Sequence, residues 1–301
     1  MVTNWAGNVV FDTATLHAPR SVDELQSSVA AAASEGRTVR AAGSRHSFSS
    51  VAHPGAGGVM ISMSGLDRVV AIDRDAMTVT VEGGIRYGEL AAALQSEGLA
   101  LHNLPSLPHI TVAGAVATAT HGSGDGNGNL ATAVRALDLV PPSGELVHLG
   151  PDDPRLGGAI VSVGRLGVVA RLTLAVEPTF DVAQTLFVDV PFDACADGLD
   201  EVMGSAYSVS LFTDYQRDVI DQVWCKVREG VDRPAPESLF GAARATEPLH
   251  PVRGVPADSC TEQLGVPGPW SDRLAHFRLG FEPSSGDELQ SEYFVGRSDG
   301  A

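Results

Sequence analysis

Ala42-Gly43-Ser44-Arg45-His46-Ser47-Phe48 follows Thr38-Val39-Arg40-Ala41, a short run that reads as a strand. A strand that ends in Gly-Ser leaves backbone N–H groups free and lets a ligand approach the chain closely. His46 comes straight after that turn. An imidazole beside such a loop can act as a base, a metal ligand or a covalent attachment point, or can simply hydrogen-bond within the loop. On this stretch alone the four readings stay open.

Working outward, Ser21-Val22-Asp23-Glu24 is a capping box that predicts a helix start. Val22, Leu25, Val29 and Ala32 then recur at helical spacing, and Gly36 ends the helix. Short strands are expected over Gly58–Ser62, Val69–Ile72 and Met77–Val81, the last from its alternation. Tyr87–Glu97 reads as a second helix stopped by Gly98. The order of helix, strands, helix and strands is an α+β pattern.

A second special region, Pro105-Ser106-Leu107-Pro108-His109-Ile110-Thr111-Val112-Ala113-Gly114-Ala115, is rich in small residues that let backbone and a flat ligand lie close together. Thr111 to Ala115 is expected to open a helical turn whose N–H groups face an anion. Gly122–Gly128 reads as a glycine-rich surface loop. Leu137–Val140 and Leu146–Leu149 flank Pro141-Pro142-Ser143-Gly144 as a hairpin, and Val163-Gly164-Arg165-Leu166-Gly167 leads into a strand over Val168–Val176. Pro178 marks a domain boundary. Beyond it, strands are expected at Gln184–Val190 and Val209–Thr213, with a helix over Cys195–Ala206 between them.

Composition narrows the function. The chain has 301 residues, 44% hydrophobic and 19% charged, enough for one large domain or two smaller ones. Its formal charge of −17 and pI near 4.8 argue against nucleic acid and anionic membrane as partners. Lys226 is the only lysine, so a P-loop or a Schiff base has no other lysine to use. Cys195, Cys225 and Cys260 are far apart and read as reduced thiols of a cytoplasmic protein. No stretch is apolar for long enough to span a bilayer as a helix, and Met1–Asn8 lacks the basic and apolar regions of a secretory signal. His102, His109 and His121 have no metal-ligand spacing, and G-x-G-x-x-G is absent, so neither a metal site nor a Rossmann cofactor site is expected.

Taken in order, the Gly43-Ser44-Arg45-His46-Ser47-Phe48 turn, the Pro105–Gly114 run and the Gly164-Arg165-Leu166-Gly167-Val168-Val169 loop resemble the FAD-binding domain of vanillyl-alcohol-oxidase-type flavoproteins. Within that group the chain is most similar to bacterial alditol oxidases. Asn4-Trp5-Ala6-Gly7-Asn8, Tyr207–Asp214, Cys260–Trp270 and Glu288–Tyr293 match them in order. The resemblance implies an α+β fold: a two-subdomain FAD-binding domain over 1–178, then a substrate or cap domain over 179–301. It implies FAD carried covalently on His46, with Ala41, Ala42, Gly43, Ser44, Arg45 and Ser47 as the cradle beside it. Thr111, Gly114, Ala115, Val116 and Ala117 match the run along the pyrophosphate and flavin, and Val168 a contact on the adenine side. Ser106 matches a serine at the flavin that touches the polyol.

The implied reaction takes hydride from the terminal CH–OH of a sugar alcohol to flavin N5, with O2 as acceptor and H2O2 as product. A related aldonolactone oxidase or dehydrogenase, or a flavin-binding fragment without turnover, is the alternative. Pro105 departs from the small alanine usual in alditol oxidases, in a neighbourhood that governs oxygen access. Family members continue past the position of Ala301, so the substrate domain is expected to be incomplete at its C-terminal end, without the cluster that deprotonates the polyol. Oligomeric state is not legible.

Overall fold

The computed structural model describes residues 2–11, 15–281 and 288–300. After a short antiparallel pair, Val2–Thr3 with Val10–Phe11, comes a three-stranded parallel sheet built from β1 (Thr15–His17), β2 (Val39–Ala42) and β3 (Val59–Ser62), with β3 in the centre. Helix α1 (Val22–Ser34) makes the crossover between β1 and β2. Ser21 Oγ accepts from the Glu24 amide at 3.1 Å, as a capping box requires. The Glu24 carboxylate takes the Arg20 amide at 2.8 Å, one residue earlier than the box predicts. Leu25, Val29 and Ala32 are buried against Val59 and Ile61 of β3 and against Val140, Val168 and Ala170 of the next sheet. Gly36, at φ +69°, ends the helix as expected.

The second sheet is antiparallel: β4 (Val69–Asp73), β5 (Thr78–Glu82), β6 (Val134–Val140), β7 (Val147–Leu149) and β8 (Val168–Ala175), in the order β7-β6-β8-β5-β4. Alternation along β8 is strict, with one face buried and the other half-buried. Leu172 pairs with Val81 of β5 and Leu137 of β6. The expected hairpin is present, and its turn closes through the Gly144 amide on the Pro141 carbonyl at 2.9 Å. Helix α2 (Tyr87–Ser96) and the short α3 (Val112–Ala117) pack on this sheet through Leu90, Leu94, Val112 and Val116.

A third sheet carries β9 (Asp181–Pro191), β10 (Ser208–Phe212), β11 (Val219–Arg228) and β12 (Gly268–Pro269) in the order β10-β11-β9-β12. The helix expected over Cys195–Ala206 is instead two short ones, α4 (Phe192–Asp197) and α5 (Leu199–Met203), broken at Gly198. A Cβ there would meet Phe240 Cζ at 2.7 Å, so the chain packs too tightly for a side chain. Strand β11 has no counterpart in the sequence reading. Seven of its ten residues are buried, six of them in an unbroken run from Gln222 to Val227, which removes the alternation that marks a half-buried strand.

The second sheet's hydrophobic core takes in Val182, Trp270, Leu274 and Ala275 from the C-terminal half. Trp270 is fully buried, and its indole donates to the Leu99 carbonyl at 3.1 Å. None of the helices among the described residues is long and apolar enough to cross a membrane. Trp270→Ala is expected to cost about 3–5 kcal/mol of stability, as other buried aromatic deletions do. Trp270→Phe, which loses the indole N–H but keeps most of the packing, should cost clearly less; chemical denaturation of both variants checks this.

Candidate functional site

Strand β2 ends at Ala42, whose carbonyl accepts the Met63 amide at 3.0 Å. The chain then passes hard against Thr111. A Cβ on Gly43 would lie 2.0 Å from Thr111 Oγ1, so only glycine fits there. Ser44 Oγ accepts the Thr111 amide at 3.3 Å and ties the two loops together. Arg45 takes a left-handed conformation, φ 60°. A left-handed residue in such a loop turns neighbouring amides toward one side, the geometry of an anion-binding nest. The amides of Gly43 through Phe48 donate to no protein group among the described residues.

The opposite wall comes from α3 and the start of β8. The expectation of anion-facing amides at the start of α3 is corrected for its first three residues. Thr111 donates to Ser44 Oγ, Val112 to the Ile85 carbonyl at 2.8 Å, and Ala113 to the Gly83 carbonyl at 3.2 Å. These amides fasten the start of α3 to its neighbours, while the Gly114 amide, like those of the 43–48 loop, donates to no protein group among the described residues.

Between the walls lies a cavity of about 580 Å³. Twelve of the fourteen residues singled out in the sequence line it: Ala41, Ala42, Gly43, Ser44, Arg45, His46, Ser47, Ser106, Thr111, Gly114, Ala115 and Ala117. Val116 and Val168 do not. Both side chains are buried in hydrophobic cores, while Gly167 and Val169 on either side of Val168 reach the cavity. The alternation of β8 explains this, because successive side chains leave opposite faces of the sheet.

The His46 ring is stacked on the Trp5 indole, centroids 4.8 Å apart and planes 26° apart. Burial, assisted by the neighbouring His109 and Arg86, lowers its pKa to about 4. The imidazole is therefore neutral at pH 7 and keeps a nucleophilic nitrogen. Because the folded value lies below the unfolded one near 6.5, His46 costs stability only as pH falls from about 6.5 toward 4.

Ser106 is exposed to the cavity, and its carbonyl accepts the amides of His276 and Phe277 at 3.1 and 3.2 Å. The same segment is tied to Lys226, whose ammonium donates to the Leu274 carbonyl and to the Ala275 carbonyl at 3.0 Å. Lys226 is fully buried and stands outside the cavity; burial pulls its pKa down to about 7. The sole lysine thus anchors the backbone behind Ser106 and is no part of the cavity wall.

Some cavity residues carried no sequence signal. Arg40 is 8% exposed, donates Nη1 to the Gly164 carbonyl at 2.9 Å, and has a buried Nε without a partner. Val163 has φ 45°, a strained conformation for a β-branched residue, and holds Gly164 at the cavity edge. Arg40 was hidden because a charged residue inside a strand reads as solvent-facing. No group of three or more histidine, cysteine or acidic side chains able to hold a metal occurs among the described residues. A dinucleotide cofactor with a diphosphate fits this set: a nest of free amides, a buried arginine with an unused donor, and a wide slot walled by small residues.

Fold and site together define an FAD-binding flavoprotein of the PCMH type. Residues 13–150 match the FAD binding domain family. The chain belongs to the alditol oxidase family. It is 49% identical to the alditol oxidase of a Streptomyces strain over 299 residues, covering 99% of this chain and 70% of that protein. It is 40% identical to L-gulono-1,4-lactone dehydrogenase of Mycobacterium tuberculosis over 178 residues, 59% of this chain and 41% of the relative. D-arabinono-1,4-lactone oxidase of Eremothecium gossypii is 34% identical over 67% of this chain and 39% of its own length. The chain thus spans about two fifths of these lactone-acting relatives. Among solved structures, alkyldihydroxyacetonephosphate synthase superposes with a TM-score of 0.63 at 17% identity, over 71% of this chain and 47% of that one, a likeness of fold.

Gly43→Ala forces the two loops apart. Overpacking of this kind costs about 1–3 kcal/mol, which at the cofactor site is roughly a five- to hundred-and-fiftyfold loss of affinity. The flavin-to-protein absorbance ratio of the purified variant should fall, while its circular dichroism stays that of the wild type.

Proposed function

We propose that the chain oxidises the terminal CH–OH of a sugar alcohol of the xylitol or sorbitol kind to an aldose, with O2 as electron acceptor and H2O2 as product. The observation that carries this is the identity with alditol oxidase along nearly the whole chain, across both the cavity and the segment behind Ser106. Bound FAD supplies the hydride acceptor and the route to O2. Gly43 through Phe48 and Arg40 would hold its diphosphate, and the small residues of α3 would pack along its flat ring. Residues 1–178 act as the FAD-binding domain and 179–301 as the substrate domain. Ser106 hydrogen-bonds a polyol hydroxyl; pinning its carbonyl from behind fixes where the side chain can point. His46 is the covalent anchor of the flavin. The three unpaired, buried cysteines suit a reducing, cytoplasmic setting.

An aldonolactone substrate is the second reading. It is favoured by the lactone-acting relatives, although two of them match over only 178 residues. Alditols and aldonolactones offered with either O2 or a dye as acceptor separate the two readings. Fast turnover of lactones alone would exclude the first, and turnover with dye but not O2 would make the protein a dehydrogenase.

Wild-type protein is expected to keep its yellow colour in the pellet after acid precipitation, and His46→Ala to release it into the supernatant. Flavin that washes out of the wild type would refute the anchor assignment. Ser106→Ala should slow anaerobic bleaching of the flavin by excess xylitol by the equivalent of about 1–3 kcal/mol, the cost of an unmet hydroxyl partner. The resting flavin spectrum should be unchanged.

A further inference from the structure

Asn4-Trp5-Ala6-Gly7-Asn8 stands out in the sequence and has no place in the reaction described above. In the structure it forms a clasp over the His46 loop. Asn4 is 3% exposed and uses its whole amide. Its Nδ2 donates to Asn8 Oδ1 at 2.7 Å and to the Ser47 carbonyl at 3.0 Å, and its Oδ1 accepts the Val9 amide at 3.0 Å. Asn8 Nδ2 donates to the Phe48 carbonyl at 3.0 Å. The Trp5 amide donates to the Arg45 carbonyl at 2.9 Å, and Arg45 Nη1 returns a bond to the Thr3 carbonyl at 3.1 Å.

These bonds take the carbonyls of Arg45, Ser47 and Phe48, while the loop's amides donate to no protein group among the described residues. They also deliver Trp5 to one place. Its ring lies on His46 and meets Phe48 edge-on, with centroids 6.3 Å apart. Trp5 is only half-buried and belongs to none of the hydrophobic clusters. An indole is the largest apolar side chain, and here its area is not used in a core. Trp5 and His46 together line both the main cavity and a second one of about 390 Å³, to which Arg86 and His109 also contribute. Without the indole the imidazole could swing into that second space.

We propose that Trp5 is a positioning residue for covalent flavin attachment. By stacking on His46 it fixes the plane of the imidazole, so that one ring nitrogen faces the flavin 8α carbon. This rests on His46 as the anchor. The linkage replaces one C–H of the 8α carbon with a C–N bond, releasing that hydrogen as a proton together with the imidazole N–H proton. The two electrons of the C–H bond pass to the flavin ring and from there to O2, which takes up both protons and leaves as H2O2. A nitrogen rotated off that carbon cannot make the bond, yet FAD can still sit in the cavity.

The test compares wild-type protein with Trp5→Leu and Trp5→Phe. Leucine keeps apolar bulk without a stacking face, and phenylalanine keeps the face. Each protein is reconstituted with FAD, and two quantities are read: total bound flavin, and the fraction that stays with the chain after acid precipitation. Trp5→Leu should bind FAD near the wild-type level while its rate of linkage drops at least tenfold. Trp5→Phe should recover to within about threefold. Linkage at the wild-type rate in Trp5→Leu overturns the inference. So does loss of total flavin from Trp5→Phe, which would make Trp5 a folding residue. Wild-type protein that never links its flavin fails the His46 assignment itself, a result distinct from either of these.

Discussion

A left-handed turn at Arg45 leaves a run of backbone amides without protein partners among the described residues, and the packing around it holds that turn open. Unpaired amides are costly away from water, so such a loop persists only when its surroundings over-determine it. Three contacts do so here. Gly43 presses against Thr111, Ser44 bonds the Thr111 amide, and Asn4 and Asn8 take the carbonyls of Ser47 and Phe48. Three of the loop's carbonyls, at Arg45, Ser47 and Phe48, are bound to the protein, whereas its amides have no protein acceptor among the described residues. That asymmetry favours an anion over a cation at the loop.

The charge balance makes this local arrangement necessary. A chain of net charge −17 repels an anionic cofactor at long range. Attraction must be built at short range, from fixed dipoles and the few cations brought to the cavity. Arg40 gives Nη1 to the Gly164 carbonyl and keeps a buried Nε without a partner among the described residues, and Arg45 stands on the loop itself. Burial first, and then the neighbouring His109 and Arg86, hold His46 neutral. The site thus pairs donors for a diphosphate with an unprotonated imidazole.

Behind the other end of the cavity a different constraint operates. Lys226 lies in the third sheet with no carboxylate partner among the described residues, and it places its ammonium on the carbonyls of Leu274 and Ala275. The His276 Nδ1 is a third neighbour at 3.4 Å, and burial among uncharged partners pulls the pKa of the amine down. The effect on the fold is mechanical. The 274–277 segment is held from one side by Lys226 and holds Ser106 on the other. The third sheet therefore reaches the cavity through hydrogen-bonded backbone.

Much of this was legible in the sequence because it depends on local chemistry. The capping box at Ser21, the glycine stops at 36 and 98 and the alternation of β8 each follow from rules that act within a few residues. The Gly43-Ser44 turn and the family likeness around His46 and Ser106 belong to the same class. Position in space was not legible. Whether an amide at the start of α3 faces a ligand depends on whether Ile85 and Gly83, far back in the chain, present a carbonyl to it; they do. Strand β11 lost its alternation because neighbours cover both its faces, and Arg40 is interior because loop 163–167 folds over it. The role of Trp5 needs the longest reach, since stacking is a contact between two rings forty-one positions apart, and only the folded chain brings them within 4.8 Å.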